Sequence, residues 1–252
     1  MAGHSKWSQI KRKKGANDSK RSAMYSKHIR AIQAAVRSGG TGDPAGNLSL
    51  KNAIAAAKAA TVPVDNIDNA IKRAVGAGEG AADYKEQTYE GYGPGGVAFV
   101  VQATTDNKTR AAKDIRAAFA RHDGNLASTG AVSFQFLHAG QFLVSQEKIG
   151  QDALLEIALA AGADDILTSE QGYEIRCGIH GFDKVAHALE QQRLKPDSSE
   201  IAYIPVTTVP VTDLALAKSL VQLHDDLDEL DDVQHVFSNE EMDESLNAAA
   251  QA

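Results

Sequence analysis

The chain has 252 residues, 43% of them hydrophobic and 23% charged, with a formal net charge of −7. That length suits two or three domains, each able to bury a core, and the composition is that of a soluble globular protein. One cysteine, Cys177, permits no intrachain disulfide and fits a reducing compartment. The longest apolar stretch, Gly96 to Val101, is far short of the ~20 residues of a membrane span, so the expected location is the cytoplasm, with no membrane partner.

The charge is unevenly placed. Residues 1–75 carry 14 Lys and Arg against 4 Asp and Glu, a formal +10, whereas the remainder carries 12 against 29, or −17. Charges are screened over roughly 8 Å at physiological salt, so a distant acidic lobe does not neutralise a basic patch at its own surface. The patch, and not the net charge, should choose the partner.

The amino-terminal block joins Lys6, Lys11, Arg12, Lys13 and Lys14 to His4, Ser5 and Trp7. Cations that neutralise phosphates, beside flat side chains that stack on exposed bases, form a combination suited to single-stranded or folded RNA. A solvated tail and a mitochondrial presequence are the competing readings of the same residues. From Ser19 to Arg37 a helix is expected, because Tyr25, Ile29, Ile32 and Val36 recur at spacings of three and four. Lys20, Lys27, Arg30 and Arg37 fall opposite that stripe, so packing the helix should turn them outward together. Gly39, Gly40, Gly42 and Pro44 end it; Asn47 should cap a second helix through Leu50 to Ala60. After Pro63, Asp65 is expected to cap a third, with Ile67, Ala70, Ile71 and Ala74 inside and Lys72 and Arg73 in the last turn.

Gly76, Gly78 and Gly80 read as a hinge, beyond which strands and helices alternate. Gly96 to Thr104 (strand), Lys108 to His122 (helix) and Ala131 to Leu137 (strand) are expected to form one βαβ unit. Residues 139–204 show a full βαββαβ order: Gln141 to Val144, helix Ala153 to Ala161, Ile166 to Ser169, Tyr173 to Arg176, helix Phe182 to Gln191, Ile201 to Ile204. That order builds a four-stranded antiparallel sheet with two helices on one face. Val206 to Val211, a leucine-patterned helix from Leu216 to Leu230, and Val233 to Phe237 then complete the first unit around the insert. The fold class expected is α+β, an N-terminal three-helix domain (1–75) plus two ferredoxin-like α/β domains, one (139–204) inserted into the other (80–138 and 205–240).

Four constellations invite chemistry. Glu90-Gly-Tyr-Gly-Pro-Gly-Gly96 resembles a phosphate loop, but no Lys-Ser or Lys-Thr follows and the glycines lead into a strand, so a structural turn is expected. Cys177 and His180 form half of a zinc spacing with no second pair, and His28 on the apolar side of its helix reads as packed. Asp225, Asp226, Asp228, Glu229, Asp231 and Asp232 read as a solvated acidic face. No catalytic arrangement is identified, so the expectation is a non-enzyme with no catalytic or metal residues, no cofactor and no small-molecule substrate.

The islands Met1-Ala-Gly-His-Ser-Lys-Trp7, Pro63-Val-Asp-Asn-Ile67, Tyr89-Glu-Gly-Tyr-Gly-Pro-Gly-Gly-Val-Ala98, Thr105-Asp-Asn-Lys-Thr-Arg110, His122-Asp-Gly-Asn-Leu126 and Asp231-Asp-Val-Gln-His-Val236 resemble the YebC/PmpR family, whose mitochondrial relatives are translational activators. The resemblance spans nearly the whole chain. It implies a non-enzymatic protein with a helical first domain and two α/β domains around a cleft. It implies either a DNA-binding transcriptional regulator or a ribosome-associated factor that binds ribosomal RNA and assists translation of proline-rich sequences. Both versions use one basic surface, for which the candidate nucleic-acid-binding residues are His4, Ser5, Lys6, Trp7, Lys11, Arg12, Lys13, Lys14, Lys20, Arg21, Lys27, Arg30, Arg37, Lys72 and Arg73.

Overall fold

A computed structural model describes residues 18–76 and 83–251, with side chains from residue 21 onward. Its first unit is helical: α1 (Asp18–Gly39), α2 (Leu48–Ala59) and α3 (Val64–Val75). Ile32, Val36, Leu50, Ala57, Ile67 and Ala70 form its core, with Tyr25 and Ile29 packed at the edge, as the stripe on α1 requires. Asn47 caps α2 by accepting from Leu50 N (3.0 Å), and its amide also donates to Ala35 O at 2.7 Å. A Cβ at Gly39 would sit 2.1 Å from that amide nitrogen, so only glycine lets the cap reach α1. Asp65 does not cap α3. The helix starts at Val64 behind Pro63, whose fixed φ suits the position, and Asp65 lies within the first turn, where its charge favours the helix dipole.

The rest of the described chain is α+β. One sheet has the strand order β3-β1-β2-β9, from β1 (Lys85–Tyr92), β2 (Ala98–Thr105), β3 (Asn125–Leu126) and β9 (Val233–Ser238). On one face Val97, Phe99, Val101 and Ala103 meet Ile115, Ala118 and Phe119 of α4 (Lys108–Arg121) and Ala217, Leu220, Leu223 and Leu227 of α7 (Leu214–Glu229). The second sheet has the order β5-β6-β4-β7, from β4 (Phe136–Val144), β5 (Asp165–Ser169), β6 (Gly172–Cys177) and β7 (Ser198–Pro205), every neighbour antiparallel. Helices α5 (Gln151–Ala160) and α6 (Phe182–Gln191) cover it through Leu154, Ala158, Val185 and Leu189. This second order is the ferredoxin-like one expected from βαββαβ. The first sheet shares the antiparallel strands and the helical cover but places the β1–β2 hairpin at its centre, so its strand order differs from the ferredoxin-like one.

Two local expectations need correction. Ala131 to Leu137 is not a strand of the first sheet: residues 128–135 turn through Gly130 (φ 87) and a short 3-10 helix, and Phe136 begins β4 of the second sheet. The strand partner of β1 there is the short β3, and the hairpin strand β1 was not foreseen. Val206 to Val211 contains only a two-residue strand, β8 (Val209–Pro210), parallel to β10 (Glu240–Glu241). A final helix, α8 (Glu244–Gln251), packs its Leu246 and Ala250 onto the first core.

The two sheets meet through Ala98, Val100 and Phe237 on one side and Phe136, Ala139, Ala202 and Ile204 on the other. Polar groups fix this seam. Asn239, fully buried, accepts from Ala98 N at 2.7 Å and donates to Gln135 Oε1 and Thr207 O at 3.0 Å. Glu90 of β1 accepts from the backbone N–H of Gly130 (2.8 Å), Val132 (2.7 Å) and Ser133 (2.9 Å), and so holds the turn leading to β4. Burial pushes the Glu90 carboxyl up, but these donors outweigh it and hold it below the ordinary glutamate value of 4.5. A pKa lowered by folding contributes stability above the unfolded value, and that stability is lost as pH falls through the folded value. Glu90→Ala should therefore cost about 2–4 kcal/mol in urea unfolding at neutral pH, because three inward donors lose their acceptor. Its deficit relative to the unsubstituted protein should shrink as pH drops below 4.5; a deficit constant with pH would contradict the role.

Candidate nucleic-acid interface

Of the candidate residues, His4, Ser5, Lys6, Trp7, Lys11, Arg12, Lys13 and Lys14 lie outside the described residues. Lys20 falls in the first turn of α1, its side chain also outside the description. Arg21 is exposed near the start of α1, and Lys72 and Arg73 are exposed in the last turn of α3. The exposed face of α3 is mixed: Asp65 and Asp68 stand toward its N-terminal end, Lys72 and Arg73 at its C-terminal end.

Lys27, Arg30 and Arg37 do share one stripe opposite the apolar one, but that stripe does not face water. α1 packs its second side against the first sheet, where Ala34, on the same stripe, is buried outside the helical unit's own core. Lys27 donates to the backbone carbonyl of Asp228, and Arg30 donates to that of Asp231. Arg30 also pairs with the Asp231 carboxylate at 3.8 Å, and Arg37 with Asp83 at 3.4 Å. Amphipathicity separated the cations from the core correctly; it carried no information about a second packed surface made by residues some 200 positions away.

The acidic run at the end of α7 is only partly a solvated face: Asp225, Glu229 and Asp231 are exposed, whereas Asp226 and Asp228 are half-buried and Asp232 is buried. Asp226 accepts from His122 Nε2 (2.9 Å) and Arg121 (3.0 Å) at the end of α4. Asp232, buried, holds Arg110 by Nη2 at 2.8 and 3.1 Å and by Nε at 3.2 Å, and accepts from Thr105 Oγ1 at 3.1 Å. Arg110 pairs with Asp106 as well, at 2.8 Å, and hydrogen bonding to Asp232 and then Asp106 stabilises its charged form further. A cleft of about 390 Å³ opens here between α1 and the first α/β unit, lined by Arg30, Tyr84, Arg110, Asp114, Asp231 and Asp232 among others. Its charges are largely paired with one another, so it offers structure more readily than a substrate-activating group.

The glycine loop leads from β1 into β2. Gly95 adopts φ 70, where a Cβ would also lie 2.9 Å from Leu216, and at Gly91 a Cβ would approach the Phe119 ring at 2.7 Å. Both positions are explained by the turn and by close packing on α4 and α7. Cys177 is buried, and burial followed by Asp164 pushes its thiol up to about 11. His28 is half-buried, and burial followed by Lys27 lowers its pKa, in keeping with a packed residue. Among the described residues no group of three or more His, Cys, Asp or Glu is placed to hold a metal ion, and no helix is long and apolar enough to cross a membrane.

A helical unit docked by its basic helix on two fused α+β units defines the class. Residues 5–77 match the model of the TACO1/YebC protein N-terminal domain, and residues 84–240 that of the TACO1/YebC second and third domain. The chain belongs to the TACO1/YebC family. A protein of Opitutus terrae named "Probable transcriptional regulatory protein" is 59% identical over 99% of this chain and 100% of its own length. One of the same name from Deinococcus radiodurans is 57% identical over 97% and 98%. The crystal structure of the conserved hypothetical protein Aq1575 from Aquifex aeolicus superposes with a TM-score of 0.80 at 38% identity, covering 90% of this chain and 93% of that one.

Asp232→Ala should destabilise the fold by about 1–3 kcal/mol, since it leaves the Thr105 hydroxyl and the Arg110 guanidinium without their shared acceptor. Arg110→Met in the same background should then add little, and a full additive loss in that double-mutant cycle would show that the two side chains do not act together.

Proposed function

We propose that this protein is a non-enzymatic, nucleic-acid-binding regulator of gene expression whose contact surface is the amino-terminal cationic block, extended by Arg21, Lys72 and Arg73. The observation that carries this reading is the segregation of charge: a formal +10 in residues 1–75 against −17 in the rest. The relatives are named probable transcriptional regulatory proteins, and on that footing the reading is of a DNA-binding regulator of transcription acting in the cytoplasm. His4, Ser5, Lys6 and Trp7 are the reading segment, and Lys11, Arg12, Lys13, Lys14 and Lys20 contact phosphates.

One observation favours ribosomal RNA as the polymer. A helix that reads bases in the major groove does so chiefly with its N-terminal residues, and on α3 those are the exposed Asp65 and Asp68, whose charges oppose phosphate. A lysine-rich backbone grip with a stacking tryptophan has no such conflict. In that reading the acidic α+β units face proteins or tRNA.

Replacing Lys11 to Lys14 by alanine should weaken binding to every sequence alike and flatten the slope of log affinity against log salt by about three to four. Unchanged affinity would remove the block from the site. In direct competition, a preference of about tenfold or more for a promoter duplex over ribosomal RNA would exclude the ribosomal reading, and the reverse preference would exclude the duplex one.

A further inference from the structure

The last turn of α7 carries Asp225, Asp226, Asp228 and Glu229 and no basic residue. This is the wrong sign for a helix C-terminus, whose unpaired carbonyls already sum to about half a negative charge. The compensating cations come partly from another unit, since Lys27 and Arg30 of α1 reach the carbonyls of Asp228 and Asp231; beside them Arg37 ties the same helix to Asp83, just ahead of β1. We propose that this contact is an electrostatic latch, in which the acidic end of α7 occupies cations of the basic helix and a phosphate backbone displaces it. The competitor's identity rests on the nucleic-acid reading above; the latch itself rests on geometry.

Three observations make the contact releasable. Its charged acceptors are rim groups, the Asp231 side chain being 76% exposed and that of Asp83 52%, and its other acceptors are the backbone carbonyls of Asp228 and Asp231. Partly exposed ion pairs contribute little each and are screened by salt. On that stripe the buried apolar side chain is the small Ala34, and a further ion pair joining the helical unit to the rest, Lys51 with Asp183 at 3.1 Å, is likewise partly exposed. The stripe at 27, 30, 34 and 37 is continuous along one side of α1, so on release its cations would extend the phosphate-binding surface toward Arg21. Binding would then spend part of its energy on opening, which lowers the apparent affinity by the closed fraction.

The test compares three full-length proteins: the unsubstituted chain, Asp83→Asn/Asp231→Asn, and a control with the same charge change on α5, Asp152→Asn/Glu156→Gln. Each is titrated separately with a labelled RNA stem-loop and a DNA duplex of equal charge. The latch variant should bind about threefold or more tighter than both others. Equal affinities overturn the latch while leaving the functional reading intact; failure of every protein to bind either probe overturns the functional reading. A second readout needs no ligand. Dyes on Lys58→Cys and Lys218→Cys report the separation of α2 from α7, Cys177 being buried and its thiol pushed to about 11, hence slow to label. Energy transfer should fall as salt rises from about 50 to 500 mM, and the latch variant should start from the lower value. Transfer that ignores both salt and the substitutions overturns the latch whatever the binding result.

Discussion

The C-terminal end of α7 is the electrostatic centre on which the arrangement of units depends. It closes a helix with carboxylates where the dipole favours cations, and it lacks a basic residue of its own. Two helices make good the deficit. α4 sends Arg121 and His122 to Asp226 and Arg110 to Asp232, within the same α+β unit; α1 sends Lys27 and Arg30 from outside it. The first set lies over a continuous apolar core and holds Asp232 almost fully buried. The second rests on the backbone carbonyls of Asp228 and Asp231 and on the exposed Asp231 carboxylate, so the two differ in kind although they answer the same excess of negative charge.

Between the two sheets a different kind of constraint operates. The apolar seam joins the small or beta-branched Ala98, Val100, Ala139, Ala202 and Ile204 to Phe136 and Phe237, and apolar contact carries no direction of the kind a hydrogen bond does. Direction comes from Asn239 and Glu90, which hydrogen-bond to three chain segments that are far apart in sequence. Nearby, His224 meets Ser238 at 2.6 Å and the buried Glu240 at 3.2 Å. Burial alone would raise the Glu240 pKa, but His224, through its charge and hydrogen bond, lowers it below the ordinary value. Leaving Asn239 or Glu90 unpaired would be costly, so the native angle is one that satisfies both.

What was legible in the sequence followed local periodicity. α1, α4, α6 and α7 have apolar spacings that leave no other reading, and the βαββαβ order of residues 136–205 carries its sheet topology with it. β1 was not legible, because Lys85-Glu-Gln-Thr-Tyr-Glu90 looks polar and its buried groups, Glu90 and Gly91, are the ones a pattern of apolar residues overlooks. Ala131 to Leu137 looked like a strand of the first sheet, yet Glu90 ties its amides into a turn, a pairing across some 40 residues that composition does not reveal. The cationic stripe of α1 was visible while its partner was not, since the stripe constrains which side the cations take and says nothing about what lies there. Asn239 and Asp232 were likewise unmarked as structural anchors, their roles being set only by folding.

These features bear on function through the distribution of cations. Once Lys27, Arg30 and Arg37 are committed to the chain's own carbonyls and carboxylates, the described part of the basic unit presents a sparser surface than its sequence suggests. α3 adds Lys72 and Arg73 but sets Asp65 and Asp68 beside them, so it grips a phosphate backbone at one end and repels it at the other. On the proposed nucleic-acid reading, base discrimination by this helix would be poor, and affinity would rest on the amino-terminal cations or on those of α1 once released from α7. On the proposed reading, the formal −17 of residues 76–252 would add to this by disfavouring a polyanion over those units.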